Sequence, residues 1–132
     1  MRRVFVDTSG WFELVLPGGR GRAEIARAVE APDTKFVTST YVLDELISLI
    51  LERRGYKIAS MAASAIRSAP EIRLEHPDAA EESRAWRLFL DRSDKTYTLT
   101  DCLSFVIMRR LGITEAITTD RHFRQEGFTV LP

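Results

Sequence analysis

The sequence predicts an α/β fold, a three-layer α/β/α sandwich around a mostly parallel central sheet of four or five strands. Three observations predict it. Short apolar runs such as Val4-Phe5-Val6 and Phe36-Val37 recur along the chain and read as buried strands. Segments of helical spacing separate these runs, and alternating strands and helices imply parallel pairing with helices on both faces of the sheet. Several runs stop at or near a carboxylate, and open parallel sheets place their ligands beyond the carboxyl ends of the strands.

The first strand, Val4 to Val6, ends at Asp7, with Thr8 and Ser9 behind it. Gly10-Trp11-Phe12-Glu13-Leu14 then turns helical. Asp7 and Ser9 are open to two readings, as site residues or as caps of this helix. Pro17-Gly18-Gly19-Arg20-Gly21 is a turn signal. Arg22 to Ala31 reads as a helix stopped by Pro32-Asp33, and Lys35 to Thr38 as the second strand. Ser39 or Thr40 caps a long helix running to about Arg54. Its apolar residues cover most of the circumference, so it is expected to be heavily buried or to line a subunit interface. Arg53-Arg54-Gly55 ends it with favourable charge and a glycine.

Tyr56 to Ser68 is an alanine-rich helix broken by Pro70, and Ile72 to Glu75 a strand with one exposed face. Pro77 to Leu90 is helical, and Arg92 to Thr96 is a polar loop. Thr98 begins a helix over Leu99 to Leu111, closed by Gly112, and Arg109 and Arg110 suit its C-terminal end. Glu115 to Thr118 is a strand, Thr119 to Phe123 starts one helical turn, and Gly127 precedes a last strand, Phe128 to Leu131.

The chain has 132 residues, the size of one domain spanning 1–132. A single cysteine, Cys102, excludes an internal disulfide and fits a reducing compartment. No apolar run approaches the roughly 20 residues that cross a bilayer, and Met1-Arg2-Arg3 is too short a lead for a signal peptide. A soluble cytoplasmic protein is expected. Formal net charge is zero, which gives no bulk attraction to nucleic acid and favours association with itself or a partner.

Four acids occupy comparable places. Asp7 ends the first strand, Glu45 lies near the start of the long helix, Asp101 lies in the first turn of another helix, and Asp120 follows the fourth strand. A parallel sheet puts all four at one edge. Each also has a structural reading. Asp101 fits the capping pattern Thr98-Leu99-Thr100-Asp101, and Asp120 fits the start of the short helix. Glu45 sits in an otherwise apolar helix, where burying a carboxylate is costly unless something positive meets it, or else it stands at an exposed helix end. Converging carboxylates repel one another, and a divalent cation relieves that repulsion. Oxygen ligation favours Mg²⁺ or Mn²⁺, and one cysteine and two histidines speak against structural zinc. Mg²⁺ with carboxylates and a phosphate leads to phosphodiester hydrolysis.

Taken together, Val4-Phe5-Val6-Asp7-Thr8-Ser9, Thr40-Tyr41-Val42-Leu43-Asp44-Glu45, Leu99-Thr100-Asp101-Cys102-Leu103-Ser104-Phe105 and Thr118-Thr119-Asp120-Arg121-His122-Phe123 resemble the PIN-domain nucleases, most closely the VapC-like toxins of toxin–antitoxin pairs. The resemblance covers nearly the whole chain. It implies that Asp7, Glu45, Asp101 and Asp120 bind metal, Mg²⁺ with Mn²⁺ as a substitute, and that Ser9 and Thr119 orient carboxylates or waters. It implies cleavage of RNA by a metal-activated water, leaving 5′-phosphate and 3′-hydroxyl ends, together with a cognate antitoxin and a homodimer.

Arg20, Arg22 and Arg121, with Arg53, Arg54, Lys57 and Arg124, are candidates for phosphate contact. Asp94 and Ser104 are weaker site candidates. Trp11 and Phe12 read as core or subunit contact more readily than as base-stacking groups. A metal site makes a general-base role for His122 unnecessary, and Cys102 reads as core. A competing function is a catalytically silent module that keeps the fold and acts through protein or RNA contacts. A phosphoacceptor domain is disfavoured, since no lysine lies beyond Lys95.

Overall fold

The computed structural model describes residues 1–16 and 33–131. The expected turn at 17–21 and helix at 22–31, with Arg20 and Arg22, lie outside the described residues. Five strands form one sheet: β1 (Arg3–Val6), β2 (Lys35–Ser39), β3 (Ile72–Glu75), β4 (Glu115–Ile117) and β5 (Thr129–Leu131). Their order is β3-β2-β1-β4-β5, and every pairing is parallel. The all-parallel sheet agrees with the sequence expectation.

Val4, Phe5 and Val6 are fully buried. Successive strand side chains point to opposite faces, so both faces of β1 are covered. The chain steps outward from β1 to β2 and β3, then returns to the other side of β1 for β4 and β5. The strand order therefore reverses between β1 and β4, and ligands bind at such a reversal beyond the strand ends.

The described helices are α1 (Thr8–Val15), α2 (Thr40–Arg54), α3 (Tyr56–Ser68), α4 (Ala79–Asp91), α5 (Leu99–Leu111) and α6 (His122–Gln125). Among them, no helix is long and apolar enough to cross a membrane. Helix α1 packs on α2 and α2 on α3; α4 packs on α5 and α5 on α6. The Ser39 hydroxyl caps α2 by accepting from the Val42 amide, and Gly55 closes it at φ 85°. Helix α2 is not buried all round. Val42, Leu43, Leu46 and Ile50 are buried, while Asp44, Glu45, Ser48 and Leu51 face solvent.

Two sets of contacts tie β1 to the helices around it. Trp11 is buried, and its indole N–H donates to Thr38 Oγ1 at 3.0 Å, which in turn donates to the Val6 carbonyl at 3.0 Å. Phe5, Phe105, Phe123 and Phe128 form an aromatic cluster, with ring centroids 5.0 Å apart for Phe105 and Phe123. Such contacts contribute beyond simple burial. The cluster anchors α6 on β1 and α5.

Gly10 lies in the first turns of α1 against β4. A Cβ there would sit 2.3 Å from the Ile117 carbonyl oxygen. In an open helix, Gly→Ala stabilises by up to about 1 kcal/mol. Here the clash is with backbone, so the sign reverses. Gly10→Ala is expected to destabilise the fold by about 1–3 kcal/mol. Urea unfolding would show this as a lower midpoint at unchanged slope.

Candidate metal centre

The structure brings Asp7, Glu45, Asp101 and Asp120 to one cleft of about 430 Å³, which Thr8, Ser9, Leu49, Thr98, Thr119 and His122 also line. It opens beyond the carboxyl ends of β1 and β4. Among the described residues that line it there is no lysine or arginine.

Asp7 occupies the N-cap position of α1 but makes no side-chain capping bond. Its Oδ2 instead accepts from the Thr118 hydroxyl at 3.0 Å. The carboxyl is 5 % exposed and its pKa is pushed up to about 7. Burial is the main cause, and repulsion from Asp101 and Asp120 adds to it. The Thr8 amide and the Thr118 hydroxyl oppose the rise.

Asp101 both caps its helix and faces the cleft. Thr98 Oγ1 accepts from the Asp101 amide and Asp101 Oδ2 from the Thr98 amide, each at 3.0 Å, completing a capping box. The box uses Oδ2 and leaves Oδ1 without a hydrogen bond among the described residues. Asp120 also does local work: its Oδ1 accepts from the His122 amide at 2.9 Å. Asp101 and Asp120 thus combine a local backbone bond with a place in the cleft lining.

Glu45 takes the exposed one of its two sequence readings. It is exposed, not buried in an apolar helix, and its Oε2 accepts from Thr8 Oγ1 at 3.2 Å. It stands at the rim because the first turns of α2 run out past the end of β2.

Of the two expected orienting hydroxyls, Ser9 is part of the network and Thr119 is not. Thr119 is exposed, and only its amide takes part, donating to Ser9 Oγ at 2.9 Å. The hydroxyl that touches Asp7 belongs to its neighbour Thr118, which is buried. Thr118 Oγ1 also contacts Ser9 Oγ at 3.1 Å and accepts from the Asp120 amide at 2.9 Å. One hydroxyl thus links Asp7 to the backbone that carries Asp120.

His122 lies in the site, with Nδ1 3.0 Å from Asp101 Oδ2 and 3.1 Å from Asp120 Oδ1. Asp101, Asp120 and His122 offer ligand atoms within 4.8 Å of one another. Arg121 and Arg124 are exposed beside the cleft and line a notch of about 250 Å³ that shares Thr119 and Asp120 with it.

The remaining candidates lie elsewhere. Asp94 pairs with Lys95 on the surface. Ser104 is buried, and its hydroxyl donates to the Thr100 carbonyl. Arg53 lies over the Phe12 ring. Burial pushes the Cys102 thiol up to about 11, so it stays a protonated core residue. Arg109 and Arg110 stand at the end of α5 as expected but also clasp carboxylates, Glu126 for Arg109 and Glu75 with Glu81 for Arg110. Sequence reasoning missed Glu126, which holds Arg92, Arg109 and the Tyr97 hydroxyl and thereby ties the 92–97 loop to α5 and α6.

The donor set fits a hard divalent cation. Four carboxylates line a cleft whose described lining holds no lysine or arginine, and burial forces one of them toward neutrality. All-oxygen carboxylate sites suit Mg²⁺ and Mn²⁺.

Comparison with known proteins shows the family. The PIN domain family matches residues 4–128, so the chain belongs to the PIN-domain family. It is similar to the 23S rRNA-specific endonuclease VapC20 of Mycobacterium tuberculosis, 34% identical over 125 residues that make up 95% of each chain. The crystal structure of M. tuberculosis VapC20, described as a Sarcin-Ricin loop cleaving toxin, superposes with a TM-score of 0.86 at 35% identity, covering 98% of this chain and 99% of that one.

The raised pKa of Asp7 sets a pH dependence. An aspartate ionises near 3.8 when unfolded and about 7 in the fold. Between those values the folded state holds more protons, so the contribution of Asp7 falls as pH rises from 4 to 7 and is level above. The total is on the order of a few kcal/mol. In EDTA, wild type should lose stability relative to Asp7→Asn across that window. Divalent cation, which favours the ionised form, should restore it. Denaturant midpoints at several pH values would check both.

Proposed function

We propose that the protein is a metal-dependent endoribonuclease of the VapC toxin type. The observation that carries this reading is the cleft itself, in which Asp7, Glu45, Asp101 and Asp120 meet with no lysine or arginine among the described lining. Asp7, Asp101 and Asp120, with Glu45 at the rim, would hold Mg²⁺, and Mn²⁺ would substitute. A divalent cation there supplies a Lewis acid that activates water and offsets charge on a phosphoryl group. Thr118 holds the Asp7 carboxylate, and Ser9 holds Thr118 in turn. Arg121 and Arg124 flank the cleft where an adjacent RNA phosphate would lie.

The likeness to VapC20 makes a ribosomal RNA stem–loop the first substrate to test, and a cognate antitoxin the partner that silences the enzyme. Exposed apolar residues support a protein partner or a homodimer: Leu51, Tyr56 and Met61 on or near α2 and α3, and Trp86, Phe89 and Leu90 on α4.

Purified protein incubated with 23S rRNA and Mg²⁺ is expected to cut it at a defined site and to leave it intact in EDTA. Asp7→Asn should lower cleavage more than about 100-fold, beyond the 10–100-fold typical of groups that only orient metal ligands. Thr118→Val should fall within that 10–100-fold range. Activity of Asp7→Asn equal to wild type would refute the reading, and no cleavage of any RNA pool would favour the silent binding module. Arg121→Ala should raise KM more than it lowers kcat and reduce the salt dependence of RNA binding by about one phosphate contact.

A further inference from the structure

We propose that His122 is a positioning residue that pins Asp101 and Asp120 together for metal binding, and that Thr96 fixes its orientation. The inference rests on the metal-site reading above. His122 Nδ1 lies between two carboxylate oxygens, 3.0 Å from Asp101 Oδ2 and 3.1 Å from Asp120 Oδ1. It faces acceptors only, so this nitrogen carries hydrogen. At the other end of the ring, Nε2 lies 3.1 Å from Thr96 Oγ1. A rotated ring would lose both contacts.

The surroundings hold the ring in place. Tyr97 packs edge-on at 5.2 Å between centroids, and the Tyr97 hydroxyl donates to Glu126. The next residue, Phe123, is fully buried in the aromatic cluster. The side chain of His122 is 15 % exposed, so it is neither a free surface group nor a core one. Asp101 and Asp120 come from elements distant in sequence, and each is already committed to a local backbone bond. His122 is what joins them: its ring Nδ1 bonds Asp101 Oδ2 and its backbone amide bonds Asp120 Oδ1. It leaves Asp101 Oδ1 and Asp120 Oδ2 without hydrogen bonds among the described residues. Groups that orient metal ligands in this way typically contribute 10–100-fold to metal affinity.

The test is calorimetric titration of Mn²⁺ into the purified full chain without RNA, at a pH above 8. His122→Ala should weaken Mn²⁺ binding about tenfold or more. His122→Asn, whose amide N–H can take the place of Nδ1–H, should retain most of the affinity, and Thr96→Val should weaken it by less than His122→Ala. Thermal unfolding in EDTA checks that each variant folds; if His122→Ala does not, His122→Asn and Thr96→Val decide the question. Equal affinity in wild type and His122→Ala would overturn the proposal. So would equal loss in His122→Ala and His122→Asn, which would make the imidazole a ligand. Wild type that binds no Mn²⁺ would instead remove the metal-dependent reading and this inference with it.

Discussion

The burial of Asp7 beside other carboxylates at one edge of the sheet is the constraint on which the rest of the structure depends. Asp7 is buried with Asp101 and Asp120 close enough to raise its pKa, and the described lining of the cleft offers no lysine or arginine to offset them. Elsewhere the protein does pair its buried acids. Arg73 and Arg110 meet Glu75, Arg110 meets Glu81, and Arg92 and Arg109 meet Glu126. For Glu75 and Glu126, burial that would raise the pKa is outweighed by those arginines. The contrast separates structural ion pairing from an acidic cluster that could hold a metal ion.

The fold creates the convergence by topology. All strands run the same way, so residues that follow β1 and β4 emerge at one edge, and the reversal of strand order leaves a crevice between them. Gly10 allows α1 to approach the Ile117 carbonyl, which keeps Asp7 close to Thr118. The aromatic cluster seats α6, and the capping box seats the first turn of α5, so Asp120 and Asp101 are both placed by ordinary packing and capping. The site costs the fold few dedicated interactions beyond those that build its helices.

Much of this was legible in the chain because strand ends and helix starts have local signatures. Val4-Phe5-Val6 followed by Asp7, and Thr98-Leu99-Thr100-Asp101, announce their geometry over a few residues. What was not legible depends on side-chain direction or on long-range pairing. Thr118 and Thr119 differ only in which way they point at the end of β4, and adjacent positions there face opposite sides. The sequence leaves Glu45 open between a buried and an exposed place on α2, and only the fold decides for the exposed one. Glu126 carries no motif, since its partners Arg92, Tyr97 and Arg109 are brought to it only by the tertiary fold. The place of His122, with Nδ1 against Asp101 and Asp120, likewise follows only from the tertiary fold.

The most direct measurement is an anomalous difference map from crystals of the protein soaked in Mn²⁺. A peak inside the cleft, bounded by the carboxylates of Asp7, Glu45, Asp101 and Asp120, is the predicted result. A map with no peak there at saturating Mn²⁺, or with its only peak elsewhere on the molecule, would contradict it.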